Sequence, residues 1–320
     1  MSTNRTPLRA AAALLCAAGA AIGAGSAQAA SGSLTYVKGG DVYLSAPDGS
    51  RAKRLTRDGG YAWPSQADTG LIVAVRQTSE NGRKPRRLHK LSRTGRPLGA
   101  PLETVRVNNA DFVGPLAPQV SPDGTKVAYH YFSWDVLAGR QKISVGYTST
   151  AQGTEPGVFA DVLAGYLTPS WTADGRVLVF YANQRTSHVG IDTLGGDYLD
   201  WFGDPGVETL LTDGELSRAG DRLVAVGDQN DLRFYAVSGT AQAPELRCVL
   251  TGFQGAVSDP TWSPDGQALA WEDAAGIHVG RLGDLAGCQG MRPSLVVAKG
   301  TDPDWGPAAA PARKARRGGR

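Results

Sequence analysis

The stretch Pro-Thr-Trp-Ser-Pro-Asp-Gly, from Pro260 to Gly266, decides the fold because the chain repeats it. Looser, degenerate or truncated copies are WPSQADTG (63–70), PQVSPDG (118–124), PSWTADG (169–175), ELSRAGD (215–221) and PDWGP (303–307). With the residue before the final glycine as a marker, Asp123, Asp174, Ala219 and Asp265 are 45 to 51 residues apart. A recurrence of that length indicates one supersecondary unit per repeat.

Each repeat predicts four short strands. An apolar run rich in β-branched and aromatic residues follows the turn, as at 176–180 and 268–271. The next run alternates apolar and polar residues, as in Val42-Tyr43-Leu44 and Ile277-His278-Val279. A fourth segment ends several repeats, as at 54–56, 210–212 and 249–251. No window after the first 29 residues shows a sustained period of 3.6, so we expect an all-β chain.

The ends of the repeat region predict how the structure closes. Leu34-Thr35-Tyr36-Val37 begins in mid-repeat, without an opening strand, whereas Pro303 to Trp305 supplies an opening strand with nothing after it. Together the two fragments make one four-stranded unit. Five internal repeats and this composite predict a six-bladed β-propeller whose last blade is closed by N- and C-terminal strands, which leaves no free sheet edge.

These motifs resemble the TolB-type, or WD40-like, β-propeller repeat, over roughly 34–306. The resemblance carries PxWSPDG, the apolar strand after it, the V-Y-L strand with its DG turn, and the terminal R-L-T. It implies the fold but not the function, because propellers host many activities. TolB has an α/β domain before its propeller; we expect none between the leader and Leu34, so the role of that domain is not transferred.

The first 29 residues are a predicted secretory signal peptide. Arg5 and Arg9 precede an apolar segment, and Ala27-Gln28-Ala29 is a small-x-small cleavage site. The apolar segment is short and interrupted by glycine, so we expect a soluble exported protein with no transmembrane segment. The predicted divisions are the signal peptide (1–29), the propeller (30–306) and a disordered basic tail (307–320).

Two cysteines remain after cleavage. Cys248 falls in the last strand of its repeat and Cys288 precedes the last strand of the next, so adjacent blades would bring them together. In an exported chain this pair predicts a disulfide, with two free thiols as the alternative. No histidine or further cysteine lies close to either, which argues against a metal site.

The net charge of +3 hides an uneven distribution. The signal peptide holds two arginines and the tail five basic residues, so the propeller itself is near −4. Residues 76–96 hold eight basic residues and one acid, in the loop between the second and third strands of a blade and beyond it. The equivalent loop of the next blade carries aromatic residues. Such loops share one rim of the channel, and basic groups beside aromatics suit anionic or sugar-like ligands. The predicted ligand-binding residues are Arg83, Lys84, Arg86, Arg87, Phe132, Trp134 and Arg140.

The run from Asp192 to Glu215 holds seven acids and no base. We expect it between the third and fourth strands of its blade, on the opposite rim. Asp197, Asp200 and Asp204 are weak candidates for calcium, since their spacing matches no EF-hand, and the neighbouring aromatics suggest a flap packed on the blade.

Catalytic motifs are missing from the sequence. It contains no G-x-S-x-G, H-E-x-x-H or Walker loop. His188 and His278 take structural positions in third strands, and His130, expected after a second strand at the rim, is the one histidine placed for chemistry. Asp123, Asp174 and Asp265 recur as turn residues.

The sequence therefore predicts a secreted binding or scaffold module without catalytic residues, cofactor or metal. The partner would be a protein or an anionic envelope or polysaccharide ligand, and no specific nucleic acid. The alternative is a carbohydrate-active or other hydrolytic enzyme with its site at the channel mouth. A channel cluster of carboxylates or histidines at hydrogen-bonding distance would favour the enzyme, and a smooth channel with a broad aromatic and basic rim would favour the binder.

Overall fold

The computed structural model describes residues 31–80, 84–107, 112–163, 165–183, 187–194, 196–203, 210–282 and 285–312. They form six antiparallel sheets, five of four strands and one of three, arranged as the blades of a propeller. Among these residues the only helix is a 3₁₀ turn, Leu285–Gly290, and no helix is long and apolar enough to cross a membrane. The predicted all-β, six-bladed propeller is confirmed.

We number the blades from the one that holds the first strand, and give each from the channel outward. Blade 1 is β23 (Thr301–Gly306), β1 (Ser33–Lys38), β2 (Asp41–Ser45) and β3 (Lys53–Arg54). Blade 2 is β4 (Tyr61–Gln66), β5 (Ile72–Gln77) and β6 (Arg86–Leu91). Blade 3 is β7 (Val113–Val120), β8 (Lys126–Asp135), β9 (Arg140–Ser149) and β10 (Gly157–Leu163). Blade 4 is β11 (Gly165–Trp171), β12 (Val177–Asn183), β13 (Ser187–Asp192) and β14 (Tyr198–Phe202). Blade 5 is β15 (Leu211–Leu216), β16 (Arg222–Gly227), β17 (Asp231–Ala236) and β18 (Glu245–Leu250). Blade 6 is β19 (Ser258–Trp262), β20 (Ala268–Asp273), β21 (Gly276–Arg281) and β22 (Ser294–Ala298).

The first strands of the six blades close the ring. β4, β7, β11, β15, β19 and β23 each contact the next in that order, and β23 returns to β4. β23 pairs with β1 in the register Ser33 to Gly306 and Leu34 to Trp305, which confirms the composite blade. The apolar core lies between blades: Leu34, Tyr36 and Trp305 of blade 1, for example, pack on Ala268 and Ile277 of blade 6.

The repeated motif has a structural reason at each position. The Ser263 hydroxyl donates to Asp265 and accepts from the Ala268 backbone N–H at 2.8 Å, which fixes the turn after β19. Burial raises the pKa of the Asp265 carboxyl, but hydrogen bonds from the Ser263 hydroxyl and the Gln267 N–H outweigh it and hold the pKa below its usual value. The Trp262 indole N–H donates to the Glu215 carbonyl of blade 5 at 3.0 Å, so the tryptophan joins neighbouring blades. Asp265 is thus a turn residue, as predicted.

The disulfide between Cys248 and Cys288 is present and links adjacent blades. Cys248 lies in β18 of blade 5, and Cys288 in the 3₁₀ turn that precedes β22 of blade 6. Their Cα atoms are 5.9 Å apart, and both side chains belong to the apolar cluster between these blades. The predicted pairing is confirmed.

Two sequence predictions of strand order were wrong. Residues 210–212 do not end blade 4, since β15 of blade 5 begins at Leu211. The fourth strand of blade 4 is instead β14, inside the acidic run that we expected to form a flap. Trp201 of this strand is 6% exposed, so its aromatic residues do pack on the blade. The pattern misled because acidic and glycine residues surround this strand on both sides.

The two ends of the chain differ in how much of them the structure describes. The signal peptide predicted at 1–29 lies outside the described residues, as do residues 313–320 of the tail. Before that, Ala308 accepts a hydrogen bond from the Ser33 hydroxyl at 2.9 Å, and Pro311 accepts one from Arg51 at 3.2 Å. The chain therefore stays in contact with blade 1 for several residues beyond the boundary predicted at Gly306.

Candidate functional site

The first strands present two rings of residues around the axis. The upper ring is the position before the motif proline, or its equivalent: Trp63, Ala117, Thr168, Asp213, Asp259 and Asp302. The lower ring lies two residues later: Ser65, Gln119, Ser170, Glu215, Thr261 and Asp304. We call the end of the propeller where the first strands begin the upper end. The hairpin turns between second and third strands also lie there. Blades 5 and 1 have an acid in both rings, blade 6 has one in the upper ring alone, and blades 2, 3 and 4 have none at these positions.

The carboxylates of the upper ring converge. Asp259 and Asp302 lie with Glu272 of β20 so that one oxygen of each is within 4.8 Å of the others. The Asp302 backbone N–H donates to Glu272, and the Ser258 hydroxyl donates to the other Glu272 oxygen at 3.0 Å. Within the described residues this is the only group of three acids, histidines or cysteines placed to share a metal ion.

These carboxyls ionise with difficulty. Burial raises the pKa of Asp213 to about 6. Burial, and then the neighbouring charges of Asp213, Asp302 and Glu272, raise the pKa of Asp259 well above its usual value. The pKa values of Glu272 and Asp302 are raised as well, in each case first by burial. A positive charge placed among them would relieve both effects, because it attracts the ionised forms and offsets their mutual repulsion.

The lower ring surrounds a small cavity on the axis. Its volume is about 50 Å³, and all six first strands contribute to its lining. Burial raises the pKa of Glu215 to about 8 and that of Asp304 to about 6. Backbone N–H groups of the next blade partly satisfy these acids: Trp262 donates to Glu215 at 3.3 Å, and Gln66 donates to Asp304 at 3.1 Å.

An ion pair spans the lower end of the channel. Arg218, in the turn after β15 of blade 5, pairs with Asp68, in the turn after β4 of blade 2. One guanidinium nitrogen lies 2.7 Å from a carboxylate oxygen, and the second nitrogen contacts the other oxygen. Blades 2 and 5 face each other across the ring, and Arg218 also lines the cavity. The pair therefore bridges the lower mouth of the channel.

The backbone of the upper ring has an unusual conformation. Trp63, Ala117, Asp259 and Asp302 have φ values of 48°, 39°, 49° and 53°, in the left-handed region. Aspartate adopts this conformation more readily than most residues, which is one structural reason to find it there. However, tryptophan and alanine occupy the same conformation in blades 2 and 3, so the backbone does not require an acid.

The structure places the predicted basic residues at the upper end of blade 2. Lys84 is exposed in the loop before β6, whereas Arg86 and Arg87 are the first residues of that strand. Arg87 pairs with Glu80 at 2.9 Å. Arg83 lies outside the described residues. A ligand-binding role for these residues stays a prediction.

The aromatic residues expected beside them belong to a hairpin rather than a loop. Phe132 and Trp134 lie on β8, and Arg140 begins β9. Phe132 packs on the cluster shared with blade 4, which is the face of blade 3 turned away from blade 2. Trp134 is 43% exposed. The sequence missed this geometry because alternation continues through 126–135, which lengthens the strands at the expense of the loop.

The histidines do not form a site. His130 lies inside β8 rather than after it, which corrects the prediction, and burial lowers the pKa of its imidazole to about 4. His278 stacks on Trp271 with ring centroids 5.8 Å apart, and its Nε2 lies 3.0 Å from the Asp273 carboxylate. His188 lies 3.5 Å from Asp200 on the outer part of blade 4. His188 and His278 thus occupy third strands, as expected.

Of the acidic run, Asp197 and Asp200 are exposed and Asp204 lies outside the described residues. The channel acids were missed, although the sequence carries a signal for them. Aligning the repeats on the proline places Asp259 and Asp302 at one position, and Asp213 joins them when blade 5 is aligned on Ser217. The recurrent Asp-Gly turn is the more conspicuous repeated feature, so this second alignment was overlooked.

Comparisons with known proteins bear on the fold. No family profile matches the chain, and no curated protein does. Among solved structures, TolB from Acinetobacter baumannii is similar with a TM-score of 0.60 and 15% identity, over 86% of this chain and 66% of that one. The periplasmic gluconolactonase of Pseudomonas aeruginosa is similar with a TM-score of 0.53 and 13% identity, over 88% and 99%. The chain thus spans just under two thirds of the TolB structure. It has the six-bladed β-propeller fold found in TolB.

Proposed function

We propose that this protein is an exported binding module whose ligand site is the acid-lined channel and whose ligand supplies positive charge there. The observation that carries the proposal is the convergence of Asp259, Glu272 and Asp302, whose oxygens lie within 4.8 Å of one another. Three carboxylates so close repel one another, and burial adds to the cost of ionising them. A bound positive charge offsets this unfavourable energy, and the energy recovered contributes to the affinity for the ligand.

A hard divalent cation fits this donor set. Calcium binds six to eight oxygen ligands at about 2.3 to 2.6 Å, from carboxylates, carbonyls and water. Two oxygens on opposite sides of such an ion are about 4.6 to 5.2 Å apart, which is compatible with the spacing here. Asp213 interacts with Asp259 electrostatically and offers a fourth carboxylate. The bridge between Asp68 and Arg218 at the lower mouth favours entry from the upper end.

Export is part of the proposal. It rests on the predicted signal peptide, with cleavage after Ala29, and is supported by the disulfide between Cys248 and Cys288. The predicted anionic ligand belongs to a different surface, the upper end of blade 2. Lys84 and Arg87 are exposed there, which supports a second contact with an anionic partner and does not involve the channel.

The channel is tested by calcium titration of the metal-free protein. Calcium should raise the melting temperature and release heat on binding, because a ligand that binds only the folded state stabilises it. D259N/D302N should lose most of the response. E103Q is the matched control, since Glu103 is an exposed acid paired with Arg106 on blade 2. Equal responses of D259N/D302N and E103Q, or no response of the wild-type protein to calcium or to a lysine-rich peptide, would refute the proposal.

One observation favours a hydrolytic enzyme as the second candidate. With its pKa raised to about 8, Glu215 remains protonated at neutral pH, as a general acid must. Carboxylates also converge in the channel, although their oxygens lie within 4.8 Å of one another rather than at the hydrogen-bonding distance expected of an enzyme site. Hydrolysis of lactone, ester and glycoside substrates should be measured with the wild-type protein and E215Q. Turnover that is lost in E215Q but retained in E103Q would favour this candidate.

A further inference from the structure

The hairpin of β8 and β9 has longer second and third strands than the other blades, and the additional residues lie at its upper end. Both strands have 10 residues, whereas the second strands of the other five blades have six or seven. Their pairing continues without a break from Lys126–Ser149 to Asp135–Arg140. At about 3.3 Å per residue, three or four additional residues make the paired strands of this hairpin roughly 10 to 13 Å longer than the second strands of the other blades.

The turn of this hairpin exposes large apolar side chains. Leu137 is 101% exposed, Val136 is 80% exposed, and Trp134 just before the turn is 43% exposed. We call these three residues the apolar tip. Exposed turns are normally built from glycine, proline and small polar residues, so leucine and valine here need another reason. Val113, 37% exposed, lies at the same end of blade 3, opposite Phe132.

At this end of blades 2 and 3 the described charges are more often basic than acidic, although Glu80 pairs with Arg87. Arg140 is exposed beside the turn, and Lys84 and Arg87 are exposed at the same end of blade 2. The acid within the turn, Asp135, accepts a hydrogen bond from the Ala138 N–H at 2.9 Å and lies opposite Arg140. The channel carboxylates belong to blades 5, 6 and 1, so the acidic side of the ring is away from the tip.

We propose that the apolar tip docks the protein on an anionic lipid surface. Val136 and Leu137 enter the boundary between headgroups and acyl chains, Trp134 lies at headgroup level, and Arg140 with the basic residues of blade 2 contacts lipid phosphates. Tryptophan and basic residues are the side chains that favour this interface, while leucine and valine favour the region just below it.

The shape of the tip favours a bilayer over a protein partner. The hairpin is convex and narrow, so a protein would need a matching pocket, whereas a bilayer accepts a small apolar wedge anywhere on its surface. Two inserted side chains and a few basic contacts give weak, reversible and salt-sensitive binding. The proposal is independent of whatever ligand the channel takes.

Flotation with lipid vesicles tests the proposal. The protein should float with vesicles that contain phosphatidylglycerol, and less with phosphatidylcholine alone or at high salt. V136S/L137S should bind at least about tenfold more weakly, because each large apolar side chain removed from water contributes roughly that factor or more. L246S/L295S is the matched control, since both leucines are exposed on outer strands, and it should bind like the wild-type protein.

A second measurement reports insertion directly. L137C labelled with an environment-sensitive dye should shift to shorter emission wavelengths on anionic vesicles, while L295C with the same dye should not. Failure of the wild-type protein to float, or equal flotation of V136S/L137S and the wild-type protein, would overturn the proposal. So would the absence of an emission shift at position 137, and these results would indicate a protein pocket as the occupant.

Discussion

In each of the two walls of the channel, two of the three upper-ring residues share the same left-handed backbone conformation, but the side chains of the two walls differ. In blades 5, 6 and 1 the upper ring is Asp213, Asp259 and Asp302, whereas in blades 2, 3 and 4 the same positions hold tryptophan, alanine and threonine. In the lower ring, Glu215 and Asp304 contrast with serine and glutamine. The walls also differ at their rims, because the basic residues and the apolar tip belong to blades 2 and 3.

This contrast shows which features of the channel the fold requires and which it does not. Trp63 and Ala117 adopt the same left-handed conformation as Asp259 and Asp302, so half of the ring folds without an acid there. The Ser65 hydroxyl accepts a hydrogen bond from Val120 N–H at 3.1 Å, much as Asp304 accepts one from Gln66 N–H at 3.1 Å. An uncharged oxygen therefore serves the inter-blade bond. The acids are a feature of one wall that the architecture does not explain.

The most drastic way to break the acidic wall is to delete the strand that carries Asp302 and Asp304. Truncation before Thr301 removes β23, exposes the edge of β1 and takes away Trp305, which is 3% exposed. Losing one such core tryptophan costs about 3 to 5 kcal/mol. At about 2 to 4 °C per kcal/mol, we expect the melting temperature to fall by at least about 10 °C.

Truncation after Gly306 is the matched control for that deletion. It keeps β23 and removes only the tail, including the contacts of Ala308 with Ser33 and of Pro311 with Arg51. This variant should stay close to the wild-type melting temperature by calorimetry. A protein truncated before Thr301 that melts like the control would show that the ring does not depend on the composite blade.

The acidic wall is also where two blades are covalently joined. Replacing Cys248 and Cys288 by alanine opens a loop of 40 residues, which in the chain-entropy model removes roughly 4 kcal/mol of stability. We expect a fall in melting temperature of about 5 to 15 °C, while calcium binding is retained because the disulfide lies far from the axis. Two free thiols per chain in a denaturing titration of exported protein would contradict the pairing.

The smallest effect is the pH dependence of stability, which sharpens the comparison. Glu215 has its pKa raised from 4.5 to about 8 by burial, so the folded state binds more protons than the unfolded state between those values. The free energy of unfolding therefore falls as the pH rises through this window. In metal-free protein, E215Q should flatten the decline between about pH 6 and 8, measured as melting temperature against pH.

The reciprocal change tests the neutral wall. Gln119 occupies the position of Glu215 in blade 3, and its Oε1 accepts a hydrogen bond from the Ser65 hydroxyl at 3.3 Å. Q119E should steepen the decline of stability with pH because it adds a third poorly solvated carboxyl to the lower ring, beside Glu215 and Asp304. Unchanged slopes in both variants would mean that the lower ring is well hydrated and that its acids ionise freely.

The architecture could be predicted from the sequence because it depends on local interactions that the repeats share. The turn that ends the motif recurs in several units, and the motif tryptophan bonds to the preceding blade in blades 4 and 6, as Trp171 and Trp262 show. The composite blade followed from two incomplete repeats. The disulfide followed from the positions of Cys248 and Cys288 in neighbouring repeats.

The site could not be predicted in the same way, since it depends on which repeats are neighbours across the channel. Glu272 joins Asp259 and Asp302 from a second strand, at a position with no place in the motif. Conversely, the repeat pattern suggests that Phe132 and Arg86 lie close together. In the structure they lie on different faces, because Phe132 turns toward blade 4. The length of β8 was the missing information, since strand extension moved the aromatic residues out of the expected loop.

The pairing of β23 with β1 has a consequence for how the chain folds as it is made. Ser33 meets Gly306, so the first strand to be synthesised waits for almost the whole chain before its partner arrives. Until then both flanks of the unfinished ring offer unpaired strand edges, to which other chains can add. The ring of blades is thus completed in a single late event. The protein truncated before Thr301 remains in the state that precedes this event.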